Sequence, residues 1–268
     1  MMKFIVMLAL ACLAFPSVSA SYNRDSSFDI DNPTCEAMAN QAVTNGRITL
    51  NFTFCNRIQL PDEKPVAWSP SYIAAYEKAG TRWLEVLTAV NEVEHHVIDI
   101  DVYVVPLADA NGMAGPEHEI DVNWRLIPTK GSIFIGSHTY TDGVDATEFN
   151  ANILHEMGHV FGVGAYTADY TRLDAQLGNV FKVRDSQAIK QYNRQYKVDY
   201  RVLPISDDGG HLYDTKWAED KKRYDKNGRP VPVMTQELMA NGNLIGPVTM
   251  GLMDDLGYQV NYANGDTY

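Results

Sequence analysis

His155, Glu156 and His159, in the order His-Glu-Met-Gly-His, have the residue types and spacing best suited to chemistry in this chain. Two histidines four apart stand nearly one turn above each other on one side of a helix, so both imidazoles can reach a single metal ion. Glu156 projects from the neighbouring edge of that side, where a carboxylate can take a proton from metal-bound water. The pattern H-E-x-x-H therefore predicts zinc-assisted hydrolysis, with His155 and His159 as ligands and Glu156 as the base. The plainer alternative is a solvated helix face that carries two ordinary histidines.

The surrounding residues favour the ligand reading. Ala146 to Gly162 has the pattern of an amphipathic helix. Phe149, Ile153, Leu154, Met157, Val160 and Phe161 fall on one broad side at helical spacing. Asn152, His155, Glu156 and His159 fall on the other, where a purely structural helix would usually carry Lys, Glu or Ser. Gly162 is a helix-terminating glycine that lets the chain turn sharply away, so a third ligand can arrive from elsewhere. A catalytic zinc site needs three protein ligands and an open position. His211 is the only histidine beyond the helix; His95, His96, His118 and His138 precede it. Glu219 or Glu237 would define a different zinc class, but neither lies in a helical ligand motif.

Other elements must hold that helix in place. Arg47 to Phe54 reads as a strand, and Pro61 to Pro70 as a linker. Ser69 and Pro70 form a good helix start, a capping hydroxyl followed by a fixed first φ. The helix is expected to run to about Val90, with Ile73, Tyr76, Trp83, Val86 and Leu87 facing inward. Val97 to Val105 is β-branched and reads as a strand with Ile98, Ile100, Val102 and Val104 on one face. His95 and His96 read as surface residues. Asn111-Gly112 and Gly115-Pro116 suggest a loop, and Arg125 to Ile127 and Ser132 to Ile135 suggest two short strands broken by Pro128 and Gly131. Further on, Ser186 to Tyr196 reads as a helix, Asp207 to Gly210 as a turn, and Lys216 to Pro232 as an exposed charged loop with a turn at Lys226-Asn227-Gly228. Pro247 to Leu256 is expected to be a terminal helix with Gly257 as its C-cap. There are no internal repeats. Strands followed by a metal-bearing helix give an α+β fold class.

The start of the chain reads as a signal peptide, residues 1–20: Lys3, an apolar run from Phe4 to Phe15, and small residues Val18-Ser19-Ala20 for cleavage after Ala20. The run is short for a membrane span. A retained anchor is the alternative; Cys12 suits a lipoprotein site poorly. Secretion or export to a periplasm is the expected localisation. The chain of 268 residues has a formal net charge of −12, and losing Lys3 makes the mature part more acidic still. Such a balance repels nucleic acid, so no nucleic-acid partner is expected, nor any transmembrane span in the mature chain. Lys221-Lys222-Arg223 is flanked by acidic residues and does not change this. Cys35 and Cys55 remain after cleavage and suggest a disulfide, which would contribute about 3 kcal/mol in the chain-entropy model. The alternative is one thiolate capping the zinc in a latent form. Residues 21–61 are expected to be an N-terminal segment, either a pro-segment or a disulfide-bearing extension. Residues 62–268 would be the catalytic domain. Asn51-Phe52-Thr53 fits a glycosylation acceptor in a eukaryotic host.

At this point the chain resembles a known family. His155 to Gly162, His-Glu-Met-Gly-His-Val-Phe-Gly, resembles the metzincin helix motif. The long segment before His211 resembles the arrangement in leishmanolysin-type metallopeptidases, including their bacterial-type relatives. Glu237-Leu238-Met239-Ala240 resembles the family block whose methionine forms the Met-turn beneath the zinc. So does the ending from Met253 to Tyr262. The likeness runs from about Ser69 to the C-terminus. It implies a two-lobed zinc peptidase with an upper lobe of about 62–162 and a lower, mostly irregular and helical lobe of about 163–268. It implies one Zn²⁺ per chain held by His155, His159 and His211, with Glu156 catalytic and Met239 structural. The partners would be protein or peptide substrates, lying in a cleft and pairing with an edge strand near Ser132 to Ile135. One departure stands out: the family commonly has tryptophan after the third histidine. Here Leu212 follows His211, and Trp217 follows Lys216. A lysine ammonium has no lone pair to offer zinc, so the chemistry favours His211. The alternatives to a zinc metalloendopeptidase are a catalytically impaired binding or adhesion module on the same fold, and a zinc hydrolase acting on something other than protein.

Overall fold

The structure, a computed structural model, describes residues 35–55, 68–105, 107, 110–139, 146–215 and 221–268. The expected leader lies outside these residues, as do Lys216, Trp217 and Glu219. No described helix is long and apolar enough to cross a membrane.

The architecture is mixed α/β, in keeping with the α+β class, and its centre is a mixed five-stranded sheet. The strands are β1 (Ala37–Thr44), β2 (Ile48–Cys55), β4 (His96–Val105), β5 (Gly112–Val122) and β6 (Arg125–Gly136), in the order β1-β2-β4-β6-β5. β2, β4 and β6 run parallel; β1 and β5 pair antiparallel at the two edges. The alternation in β4 is met: Ile98, Ile100, Val102 and Val104 are all buried. The register sets them beside Leu50, Phe52 and Phe54 of β2 and beside Ile133 and Ile135 of β6. One apolar face therefore spans three strands, and burying each such side chain stabilises by about 1.5–3 kcal/mol.

Two helices join that core. α1 (Pro70–Val86) is capped by Ser69, whose hydroxyl accepts from the Tyr72 N–H. α2 (Ala146–Val160) buries Phe149, Ile153, Met157 and Val160, with Phe161 just beyond its end. Trp83 of α1 donates from its indole to the Leu154 carbonyl of α2 at 2.9 Å and packs edge-on to Phe161, which fixes α2 against α1. The expected helix to Val90 stops at Val86. Leu87–Val90 is instead a strand, β3, paired with β10 (Tyr258–Val260) near the C-terminus. Cross-strand bonding there outweighs helical continuation.

Two readings of this region are corrected. The expected loop at Asn111 to Pro116 is part of β5, and the two short strands at Arg125 and Ser132 are one continuous β6. Asn123 and Trp124, both at positive φ, make a two-residue turn that closes the β5–β6 hairpin. Pro116 is tolerated because β5 is an edge, and Pro128 because β6 meets β4 only from Lys130 onward. The edge strand is accordingly β5, whereas Ser132 to Ile135 lies inside the sheet between β4 and β5. His96 is also corrected: it is 3% exposed and donates from Nε2 to the Pro128 carbonyl at 2.7 Å. Burial lowers its pKa despite that bond.

Beyond α2 come a small antiparallel sheet, β7 (Thr171–Asp174), β8 (Gly178–Phe181) and β9 (Leu203–Pro204), and the helices α3 (Gln187–Tyr196) and α4 (Pro247–Leu256). The start of α3 at Ser186 and the left-handed Gly257 that ends α4 are as expected. The small sheet was not anticipated. Cys35 and Cys55 form a disulfide, so neither sulfur is a free thiolate able to cap a metal. β1 and β2 lie in the main sheet, within the compact unit Thr34–Tyr268.

Candidate metal centre

His155 and His159 project from α2, and His211 arrives on the turn after β9. Their Nε2 atoms form a nearly equilateral triangle: 3.1 Å from His155 to His159, 3.2 Å from His159 to His211, and 3.1 Å from His211 to His155. Two ligands about 2.0–2.1 Å from zinc at a near-tetrahedral angle lie roughly 3.2–3.4 Å apart, so the triangle has the size such an ion needs.

The other ring nitrogens decide what the triangle is. His155 Nδ1 meets the Leu238 carbonyl at 2.6 Å, His159 Nδ1 meets the Val163 carbonyl at 2.9 Å, and His211 Nδ1 meets Asp208 Oδ2 at 2.7 Å. Backbone carbonyls have no proton to give and the Asp208 carboxylate is an acceptor, so each Nδ1 carries the hydrogen. Each neutral ring then presents its Nε2 lone pair to the centre of the triangle. Three lone pairs converging at this distance repel unless a cation sits among them. The donor set and its outer partners therefore fit a divalent metal that takes imidazole.

Local sequence explains each placement. Gly162, at φ +111°, accepts the left-handed turn that brings the Val163 carbonyl back onto His159. Asp208 collects the Gly210 N–H at 2.7 Å and the His211 N–H at 3.2 Å besides the ring, so the turn Asp207 to Gly210 builds its own ligand support. Burial would raise the Asp208 pKa, but the bonds to His211 and Gly210 hold it below the ordinary value. Arg223 clamps the same turn from behind. It donates to the carbonyls of Leu177 and Ile205, pairs with Asp207 Oδ1 at 2.7 Å, and lies over the Tyr213 ring. The expected exposed loop from Lys216 to Pro232 is thus corrected in part, since Arg223 and Asp225 are buried. Removing Asp208 (Asp208→Ala) is expected to weaken zinc binding about 10–100-fold in chelator competition; unchanged affinity would contradict its supporting role.

Met239 is fully buried and packs against Gly158 of α2. A Cβ at Gly158 would fall 2.2 Å from the Met239 sulfur, so only glycine fits between the two histidines at that point. The Met239 carbonyl accepts from the Leu212 N–H at 2.7 Å, which ties this loop to the residue after His211. Leu212 is buried there. Glu237 sits far from any ligand role: it accepts from the Val248 and Thr249 amides at the start of α4. His95 is exposed, and His118 lies on an exposed part of β5; neither joins the triangle.

Glu156 is 4% exposed, and its Oε2 has no hydrogen-bond partner among the described residues. Burial pushes its pKa up to about 8. Gly112 of β5 lies directly over it, with an added Cβ only 2.6 Å from Oε1. Gly112, Asp208 and Arg223 were missed as parts of the site when it was read from the sequence. An aspartate three residues before a candidate ligand histidine was the one available signal.

Burial, and then the charge of His211, holds the His155 pKa down to about 4, and burial drives His159 well below its ordinary value. A histidine lowered on folding contributes stability in full above its unfolded pKa of roughly 6.5, and loses it as pH falls toward the folded value. In chelator-treated protein the His155 ring signal is expected to titrate near pH 4 by NMR, and the His159 signal well below its ordinary value. Midpoints near 6.5 would contradict the buried, neutral pair.

No family model and no curated protein matches the chain.

Proposed function

We propose that the protein is a secreted zinc-dependent metalloendopeptidase of leishmanolysin type, with a metzincin arrangement of two lobes around the metal. The observation that carries this reading is the triangle of Nε2 lone pairs, with every Nδ1 proton already committed. His155, His159 and His211 would hold one Zn²⁺. When bound, zinc lowers the pKa of a coordinated water and polarises the scissile carbonyl.

The chain's own residues supply the rest. Glu156 accepts a proton at its carboxylate from the attacking water and delivers it to the leaving amine. Its unpartnered Oε2 and dry surroundings keep that carboxylate basic, though a neighbouring dication would draw its pKa down again. Leu238, Val163 and Asp208 fix the ligand rings. Met239, buried against Gly158 of the helix that carries two of the histidines, would serve as the structural Met-turn residue. Among the described residues no strand pairs with the outer side of β5, which begins at Gly112 beside Glu156, and such an edge suits an extended peptide. That edge favours polypeptide over other hydrolysable substrates. The disulfide fits an oxidising, extracytoplasmic compartment.

The test is digestion of an unfolded protein such as casein by zinc-loaded protein, with products read by mass spectrometry. Cleavage abolished by a chelator and restored by zinc is the expected result. A zinc-loaded, folded protein that cleaves no peptide bond would favour the binding-module alternative.

A further inference from the structure

Glu237 is a fully buried carboxylate that the hydrolytic chemistry does not use. Among the described residues no cation pairs with it. Its Oε1 accepts from the Val248 N–H at 2.8 Å and from the Tyr268 hydroxyl at 2.8 Å, and its Oε2 from the Thr249 N–H at 2.9 Å. α4 has no side-chain cap of its own, because Gly246 stands at its N-cap. The carboxylate therefore caps α4 from another loop and gains from the positive end of the helix.

That loop is the one that bonds the His155 ring. The next residue, Leu238, offers the carbonyl that takes the His155 Nδ1 proton, and its own N–H is held by the Leu244 carbonyl at 2.7 Å. Met239 N–H leans on the Thr249 hydroxyl at 3.4 Å, on the same first turn of α4. A tether therefore runs from the Tyr268 hydroxyl through Glu237 to the peptide that orients His155. We infer that Glu237, with Tyr268 as its hydroxyl partner, is a positioning residue that sets the orientation of His155 and hence the metal affinity of the triad. This rests on the reading of the triad as a zinc site.

The test compares Glu237→Gln and Tyr268→Phe with a control, Asp255→Asn. Asp255 accepts from the Gln187 and Ala188 amides at the start of α3, a similar capping role that touches no part of the triad loop. Zinc affinity is measured by chelator competition, the visible spectrum of Co²⁺-loaded protein reports ligand geometry, and thermal melting reports the fold. Glu237→Gln is expected to weaken zinc binding about ten-fold and to alter the Co²⁺ spectrum. Tyr268→Phe should shift both in the same direction by less; it removes one hydroxyl and serves if the glutamine variant does not fold. Asp255→Asn should lower the melting temperature and leave affinity and spectrum unchanged. If both test variants keep wild-type affinity and spectrum, or if Asp255→Asn changes them equally, the positioning role is overturned. If the wild type itself binds no zinc, it is the assignment of the triad that fails.

Discussion

Glu156→Gln is expected to lower peptide turnover by about 10²–10⁴-fold while zinc stays bound. Glutamine keeps the shape of the side chain under Gly112, so the packing of β5 over α2 should survive. What it loses is the ability to take a proton. The buried Oε2, which has no described partner, would be replaced by an amide that brings an unsatisfied group of its own, so a small stability change is also expected. Zinc content and turnover measured on one preparation separate the two effects. Retained turnover would remove Glu156 from the role of base. Loss of zinc together with turnover would make it part of the ligand set instead.

His211→Ala is expected to have the second large effect. His155 and His159 stand on one rigid helix and keep their own outer partners, Leu238 and Val163. Two ligands should still capture zinc, but the third closes the face that orients the ion. The loss should exceed the 10–100-fold typical of an outer partner such as Asp208. The fold should hold, because the turn is anchored independently through Arg223 and Asp207. A circular dichroism spectrum like that of the wild type, with zinc binding reduced beyond the Asp208→Ala value, is the predicted pair of results. Zinc affinity equal to wild type would move the third ligand elsewhere.

Much of the fold was legible where one physical signal dominated. β4 alternates cleanly because one face meets the core. α3 and α4 announce themselves through Ser186, Pro247 and Gly257, each with a definite backbone preference. Two cysteines predicted their own pairing. The helix that carries His155 and His159 could be read from its apolar side. The rest was hidden where tertiary context overrides local sequence. β5 contains Gly112, Gly115, Pro116 and three acidic residues, Glu117, Glu119 and Asp121, and becomes a strand only because β6 offers a ladder to it. Val86 to Val90 is apolar enough for either helix or strand; its pairing with the distant Tyr258 to Val260 decides. His96 looked like half of a surface pair until β2 and β6 covered it. Arg223 sits in a charged stretch that looks solvated, yet it finds several backbone acceptors in an interior turn. No local pattern encodes those acceptors, since they come from Leu177 and Ile205, far along the chain.

The most direct measurement of the central claim is the zinc content per chain of purified, folded wild-type protein, with casein cleavage followed on the same sample before and after chelation. One zinc per chain, with cleavage lost on chelation and recovered on adding zinc, is the predicted result. A folded chain that takes up no zinc would contradict it.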